Sequence, residues 1–118
     1  MKIRTAAGED AEALAAIYGH HVAHGFGTFE TDPPSAKDMA GRVEAVLVLG
    51  LPYLVAEIDG AVAGFAYGSP FRPRASYRYT VEDSVYIGPD RLGRGIGKAL
   101  LGAVIEASEA LGLSLIHI

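Results

Sequence analysis

Cysteine is absent from this 118-residue chain. That excludes disulfides, thiolate zinc sites and a cysteine nucleophile. Basic residues are sparse as well: ten Lys plus Arg stand against fourteen acids, for a net charge of −4. None of the basic residues cluster beyond a pair, so nucleic-acid binding has little electrostatic support. No apolar run approaches the ~18–20 residues that span a bilayer, and no secretory h-region follows Met1-Lys2-Ile3-Arg4. A cytoplasmic protein with no membrane partner is the expectation. What is present describes an ordered globule, with 50% hydrophobic and 8% aromatic residues. The length suits one domain.

Local patterns predict the order β-α-α-β-β-β-α, an α/β arrangement around a mixed sheet. Lys2–Ala6 alternates as an opening strand. Ala11, Leu14, Ile17 and Tyr18 fall at helical spacing behind an acidic first turn that begins at Glu9. His20–Pro34 breaks the pattern and reads as a loop. Ser35 and Asp38 form a capping-box pair ahead of a second helix, whose apolar stripe is Met39, Val43, Val46 and Leu47. Tyr53–Ile58 and Ala61–Tyr67 flank Asp59-Gly60, the dipeptide favoured in two-residue hairpin turns. Pro70–Arg74 reads as an irregular link and Tyr77–Ile87 as a long strand. After a Gly-rich turn, Ile96, Leu100, Ala103, Val104, Ala107 and Leu111 share one helical face, with Gly112 at the expected C-cap.

The Gly-rich turn Gly93-Arg94-Gly95-Ile96-Gly97-Lys98 carries the chemical signal. It lies between a strand and a helix, where unpaired N–H groups and the helix dipole attract an anion. Alternating glycines remove the Cβ atoms that would hold a pyrophosphate away from those amides, and Arg94 and Lys98 add charge at the rim. A Walker A loop is excluded by the spacing and by Ala99, which has no hydroxyl. The G-x-G-x-G spacing also fails the dinucleotide fingerprint. A plain tight turn would use the same glycines.

Leu92-Gly93-Arg94-Gly95-Ile96-Gly97, preceded by Glu82-Asp83-Ser84-Val85-Tyr86-Ile87, resembles the acetyl-CoA motif of the GNAT N-acetyltransferases. The phosphinothricin and methionine sulfoximine acetyltransferase branch is the nearer likeness. His20–His24 running into Thr28–Pro34 resembles that branch's acceptor-side loop, and Thr80–Tyr86 resembles its central strand. Leu92 departs from the Gln or Arg that usually opens the motif. The resemblance implies the N-terminal part of a GNAT acyl-CoA N-acyltransferase fold, with acetyl-CoA as cosubstrate and no metal. It also implies a small amine acceptor and a homodimer.

Transfer of an acetyl group to an amine needs a base, because a Lys-like amine with a pKa of ~10.4 is protonated at neutral pH. Glu82 is the candidate, since apolar neighbours on its strand would raise its pKa toward a useful value. The resemblance puts backbone N–H groups of Val85, Tyr86 and Ile87 against the acetyl group and pantetheine arm. Gly93–Lys98 would hold the pyrophosphate. Arg72-Pro73-Arg74, together with Asp83 and Ser84, matches the acceptor-binding segments, with Phe29 and Glu30 lining the same pocket. Guanidinium groups suit a carboxylate or phosphinate. That favours an amino-acid-like acceptor over a polyamine; a protein N-terminus or a catalytically silent acyl-CoA sensor are the alternatives. His20 and His24 stand at i, i+4, but the intervening Glu of a zincin helix is missing.

Leu113–Ile118 alternates like a strand and also coincides with one reading frame of a sequencing-library adapter. The adapter origin is the favoured expectation. Residues 1–112 would then be an incomplete GNAT domain and 113–118 an extraneous tail, in a truncated and inactive fragment. Such a truncation would expose one edge of the Tyr77–Ile87 strand.

Overall fold

A computed structural model describes residues 1–23, 34–70, 80–89, 95–110 and 114–117; for 22, 23, 70, 80–83 and 114–117 it describes the backbone alone. Five strands form one sheet in the order β1-β2-β3-β4-β5. These are β1 (Lys2–Thr5), β2 (Tyr53–Ile58), β3 (Ala61–Pro70), β4 (Thr80–Ile87) and β5 (Ser114–His117). The first four pair antiparallel and β5 lies parallel to β4. Helices α1 (Ala11–Ala23) and α2 (Ala36–Val48) cover one face, and α3 (Ile96–Ala110) covers the other. The chain therefore folds as the expected α/β arrangement, and the strand-like alternation of the last residues is present as β5.

Each layer follows from local sequence. Ser35 Oγ accepts from Asp38 N–H, and Asp38 Oδ2 accepts from Ser35 N–H, both at 3.1 Å, so the capping box starts α2 as expected. Asp59 and Gly60 both take positive φ, 53° and 79°, which is the geometry of a tight hairpin turn. Leu14, Tyr18, Met39 and Val43 are buried against Tyr53, Val55 and Phe65 of the sheet. On the other face Ile96, Leu100 and Val104 pack on Ala56, Ala63 and Ala66. The small alanines let α3 approach closely. Gly64 is closer still, because a Cβ there would sit 2.9 Å from Ile87 Cδ1 and 3.0 Å from the Tyr86 carbonyl oxygen.

Several boundaries differ from the pattern. A 3-10 turn, Gly8–Asp10, precedes α1, so the helix proper begins at Ala11. The helix also runs on through His20 and His21 to Ala23, where a loop was expected. Nothing in His-His-Val-Ala breaks a helix, and His21 gains tertiary contacts from staying in it. β1 ends at Thr5, and β3 continues to Pro70 because β4 pairs with it that far. Leu47 remains partly exposed at the end of α2, beside exposed Val48 and Leu49. Residues 77–79, Leu111 and Gly112 lie outside the described residues.

Candidate active site

β4 has β3 on one side, paired from Val81 to Ile87, and β5 on the other, where the described residues pair from Thr80 to Asp83. Among the described residues, no strand lies beside the second edge of Ser84–Ile87. The edge that truncation was expected to expose has β5 beside it at Thr80–Asp83.

The phase of the ladder fixes what that edge presents. Gly68 N–H donates to the Pro52 carbonyl at 3.0 Å, so Gly68 turns its backbone toward β2. Its neighbour Tyr67 then faces β4, since adjacent residues alternate in an antiparallel sheet. Tyr67 pairs with Ser84 and Phe65 with Tyr86, and Gly88 N–H donates to the Ala63 carbonyl at 2.8 Å. Ser84, Tyr86 and Gly88 accordingly direct their amides at β3. Val85 and Ile87 direct theirs outward, into the opening. The Tyr86 amide is therefore a sheet donor, and the expected trio of outward amides reduces to two.

α3 begins at this opening. Ile96 is buried, and the Val85 and Ile87 side chains pack with its cluster. Gly95 has φ +71°, and a Cβ there would meet nothing within 4 Å. Only glycine adopts that conformation without strain. A Cβ on Gly97 would make ordinary contacts, 3.8 Å to Ile87 and 4.0 Å to Val85. Neither packing nor backbone geometry thus calls for glycine in this first helical turn, where it costs up to ~1 kcal/mol relative to alanine. The missing side chains leave a bare helix N-terminus beside two outward amides. An extended amide-bearing chain ending in a pyrophosphate fits that arrangement.

The opposite wall comes from α1. His21 Nε2–H donates to the Ile87 carbonyl at 3.2 Å, and its ring lies 5.2 Å from the Tyr86 ring. Tyr18 packs edge-on to Tyr86 at 5.1 Å. Tyr86 in turn belongs to a stack of rings running through Phe65 and Tyr67 to Tyr53. Burial pushes the Tyr86 phenol above its ordinary range. It also raises the Tyr67 phenol, which Ser84 partly offsets. These phenols are neutral donors at any physiological pH.

Glu82 sits in β4 between Ser69 of β3 and Ile116 of β5, two residues from the opening, and Asp83 pairs with His117. Ser84 lies beside Tyr67. Lys98 is exposed in the first turn of α3. Phe29, Glu30, Arg72, Pro73, Arg74, Gly93 and Arg94 lie outside the described residues, as does His24. Among the described residues no three metal-ligating side chains converge, and no helix is long and apolar enough to cross a membrane. The histidine pair in α1 and the ring stack were legible only as separate residues, since sequence spacing carries no sign of their meeting at β4.

The Acetyltransferase (GNAT) family matches residues 14–118. This chain belongs to that family. It is 49% identical over 107 residues to a phosphinothricin N-acetyltransferase of Alcaligenes faecalis, covering 91% of this chain and 54% of that protein. It is 36% identical over 112 residues to an L-methionine sulfoximine/L-methionine sulfone acetyltransferase of Salmonella typhimurium, covering 95% of this chain and 66% of the relative. A phosphinothricin acetyltransferase from Sinorhizobium meliloti, solved with AcCoA, superposes with a TM-score of 0.93 at 42% identity. That match covers 98% of this chain and 64% of the solved one. A ribosomal-protein-alanine N-acetyltransferase from Brucella melitensis gives 0.95 at 34%, covering 99% and 73% respectively. The GNAT chain described here thus spans about half to two thirds of the length of the curated relatives it matches.

Proposed function

We propose that this GNAT chain binds acetyl-CoA and serves transfer of the acetyl group to the amine of a small amino-acid-like acceptor of the phosphinothricin or methionine sulfoximine type. One observation carries the reading: the phase of the β3–β4 ladder points the Val85 and Ile87 amides away from β3, beside the first turn of α3 with its glycines. When bound there, acetyl-CoA supplies an activated thioester. Val85 and Ile87 would hold its amide-bearing arm, and the amides of Gly95–Lys98, with Gly93 and Arg94, its pyrophosphate. Preorganised N–H donors suit an oxygen that gains charge during transfer.

Glu82 is proposed as the base that takes the ammonium proton, directly or through water. Arg72 and Arg74 are proposed to hold the acceptor's carboxylate, with Phe29, Glu30, Pro73, Asp83 and Ser84 around it. The cytoplasm, the compartment of acetyl-CoA-dependent metabolism, goes with this reading, and so does a homodimer, which sedimentation tests. The Brucella relative's name favours one second reading, an acceptor amine at a protein N-terminus. Competition between amino acids and N-terminal peptides for acetylation separates the two.

The experiment is Gly97→Asp, with acetyl-CoA affinity measured by calorimetry. A carboxylate in the first turn of α3 complements the helix dipole, so the fold should hold or gain about 0.3–1 kcal/mol. The same charge should repel the pyrophosphate and weaken binding at least about tenfold. Unchanged affinity in a folded variant would sink the proposal.

A further inference from the structure

The ring stack ends at a cavity that the transfer reaction leaves unused. It holds about 240 Å³ and is lined by Tyr18, Met39, Arg42, Val46, Tyr53 and Tyr67, between α2 and the sheet. That volume is below the roughly 300–1,000 Å³ of whole-ligand sites and suits one end of a small molecule.

Its polar equipment is specific. Tyr53 is 1% exposed, yet no hydrogen bond joins its hydroxyl to a described residue. The hydroxyl itself is not sealed in the core but opens on the cavity that the ring lines, where a partner can stand. Burial raises the Tyr53 phenol well above its usual value, so it is a donor and never a phenolate. The Arg42 guanidinium lies 5.4 Å over the Tyr18 ring at the cavity's rim, and its charge is felt at both Tyr53 and Tyr67. Donors and positive charge meet here on apolar aromatic walls. A buried oxygen acceptor is what such a pocket pairs with.

The cavity is also close to the reacting edge. Tyr67 lines it and is in register with Ser84, one residue from Val85. One strand spacing, about 4.8 Å, separates β3 from β4. The names of the relatives share a chemistry that fits: phosphinothricin, methionine sulfoximine and methionine sulfone each carry a tetrahedral phosphorus or sulfur bearing oxygen near the end of the side chain.

Resting on the reading of the acceptor as an amino-acid-like amine, we infer that this cavity is the specificity pocket for the acceptor's side-chain oxygen. Tyr53 donates to the oxygen of any such group, and Arg42 adds affinity where the group is anionic. The acceptor's amine then lies toward the edge of β4 and its side chain across β3.

The test measures dissociation constants of L-methionine sulfone, L-methionine and phosphinothricin by calorimetry, with no acetyl-CoA present. The chain should bind the sulfone at least about tenfold more tightly than methionine, the ratio expected when one buried donor is satisfied or left unpaired. Tyr53→Phe keeps the ring and removes the hydroxyl, so the ratio should fall close to one. Arg42→Gln should weaken phosphinothricin, whose phosphinate is charged, more than the neutral sulfone. Circular dichroism verifies that both variants fold. A ratio unchanged in Tyr53→Phe overturns the inference, and so does failure of all three amino acids to bind. Failure to bind acetyl-CoA would instead refute the transferase reading and leave these ratios standing.

Discussion

Arg4 ties three parts of the chain together. Its guanidinium donates to both carboxylate oxygens of Asp10 at 2.8 Å and to Glu57 at 3.0 Å, while Asp10 also accepts the Ala7 amide at 2.8 Å. β1, the 3-10 turn and β2 are thereby fixed to one another. Those bonds hold the Asp10 carboxyl below its usual range, with the Arg4 hydrogen bonds the largest cause. A carboxyl with a lowered folded pKa stabilises the protein fully above its unfolded value of about 4. That stability is lost as pH falls through the lower folded value. Asp10→Asn should therefore cost about 2 kcal/mol at neutral pH, and the difference from wild type should shrink in acid, as urea titrations across that range would show. For Glu82, replacement by Gln in a chain that turns over should cut kcat about 100-fold if it is the base. A rate within twofold of wild type would remove it from that role. Neither Arg4's link to Glu57 nor Tyr53's cavity was legible in the sequence, because each depends on residues far apart in the chain. Glu82 and the glycines were legible because they lie within one continuous motif.

At the level of elements, short-range chemistry carried most of the reading. The capping box of α2, the Asp59-Gly60 turn and the Ile96–Leu100–Val104 stripe each rest on residues within a few positions. They occur where the pattern put them. The end of α1 did not, because His20 and His21 are neither strong helix formers nor breakers. Their fate is decided by Tyr86 and the Ile87 carbonyl, more than sixty residues away. The contact of α3 with the sheet is likewise a tertiary matter. Gly64→Ala would thrust a methyl group at Ile87, the Tyr86 carbonyl oxygen and Leu100. Overpacking of this kind typically costs about 1–3 kcal/mol. Since Ile87 bears one of the outward amides, acetyl-CoA affinity should fall together with the midpoint of urea denaturation. Loss of stability with affinity intact would mean the strain is absorbed by Leu100 alone.

For the molecule as a whole, three layers give the sheet two separately packed faces. α3 and its glycines define one side of the β4 opening, and α1 and α2 with their ring stack define the other. The succession of elements was legible in the apolar spacing, but which helix covers which face was not, since tertiary contacts decide it. Nor was the parallel pairing of β5 with β4, since no pattern in Ser114–His117 names its partner strand.

The alternating direction of the amides along β4 implies a rhythm in time as well as in space. Backbone protons held in a sheet trade with solvent only when the sheet opens, whereas unheld ones trade freely. Across Val85, Tyr86, Ile87 and Gly88, deuterium uptake should therefore alternate fast, slow, fast, slow. Saturating acetyl-CoA should slow the first and third and leave the others as they were, so that four consecutive amides in one NMR spectrum report whether the opening is filled.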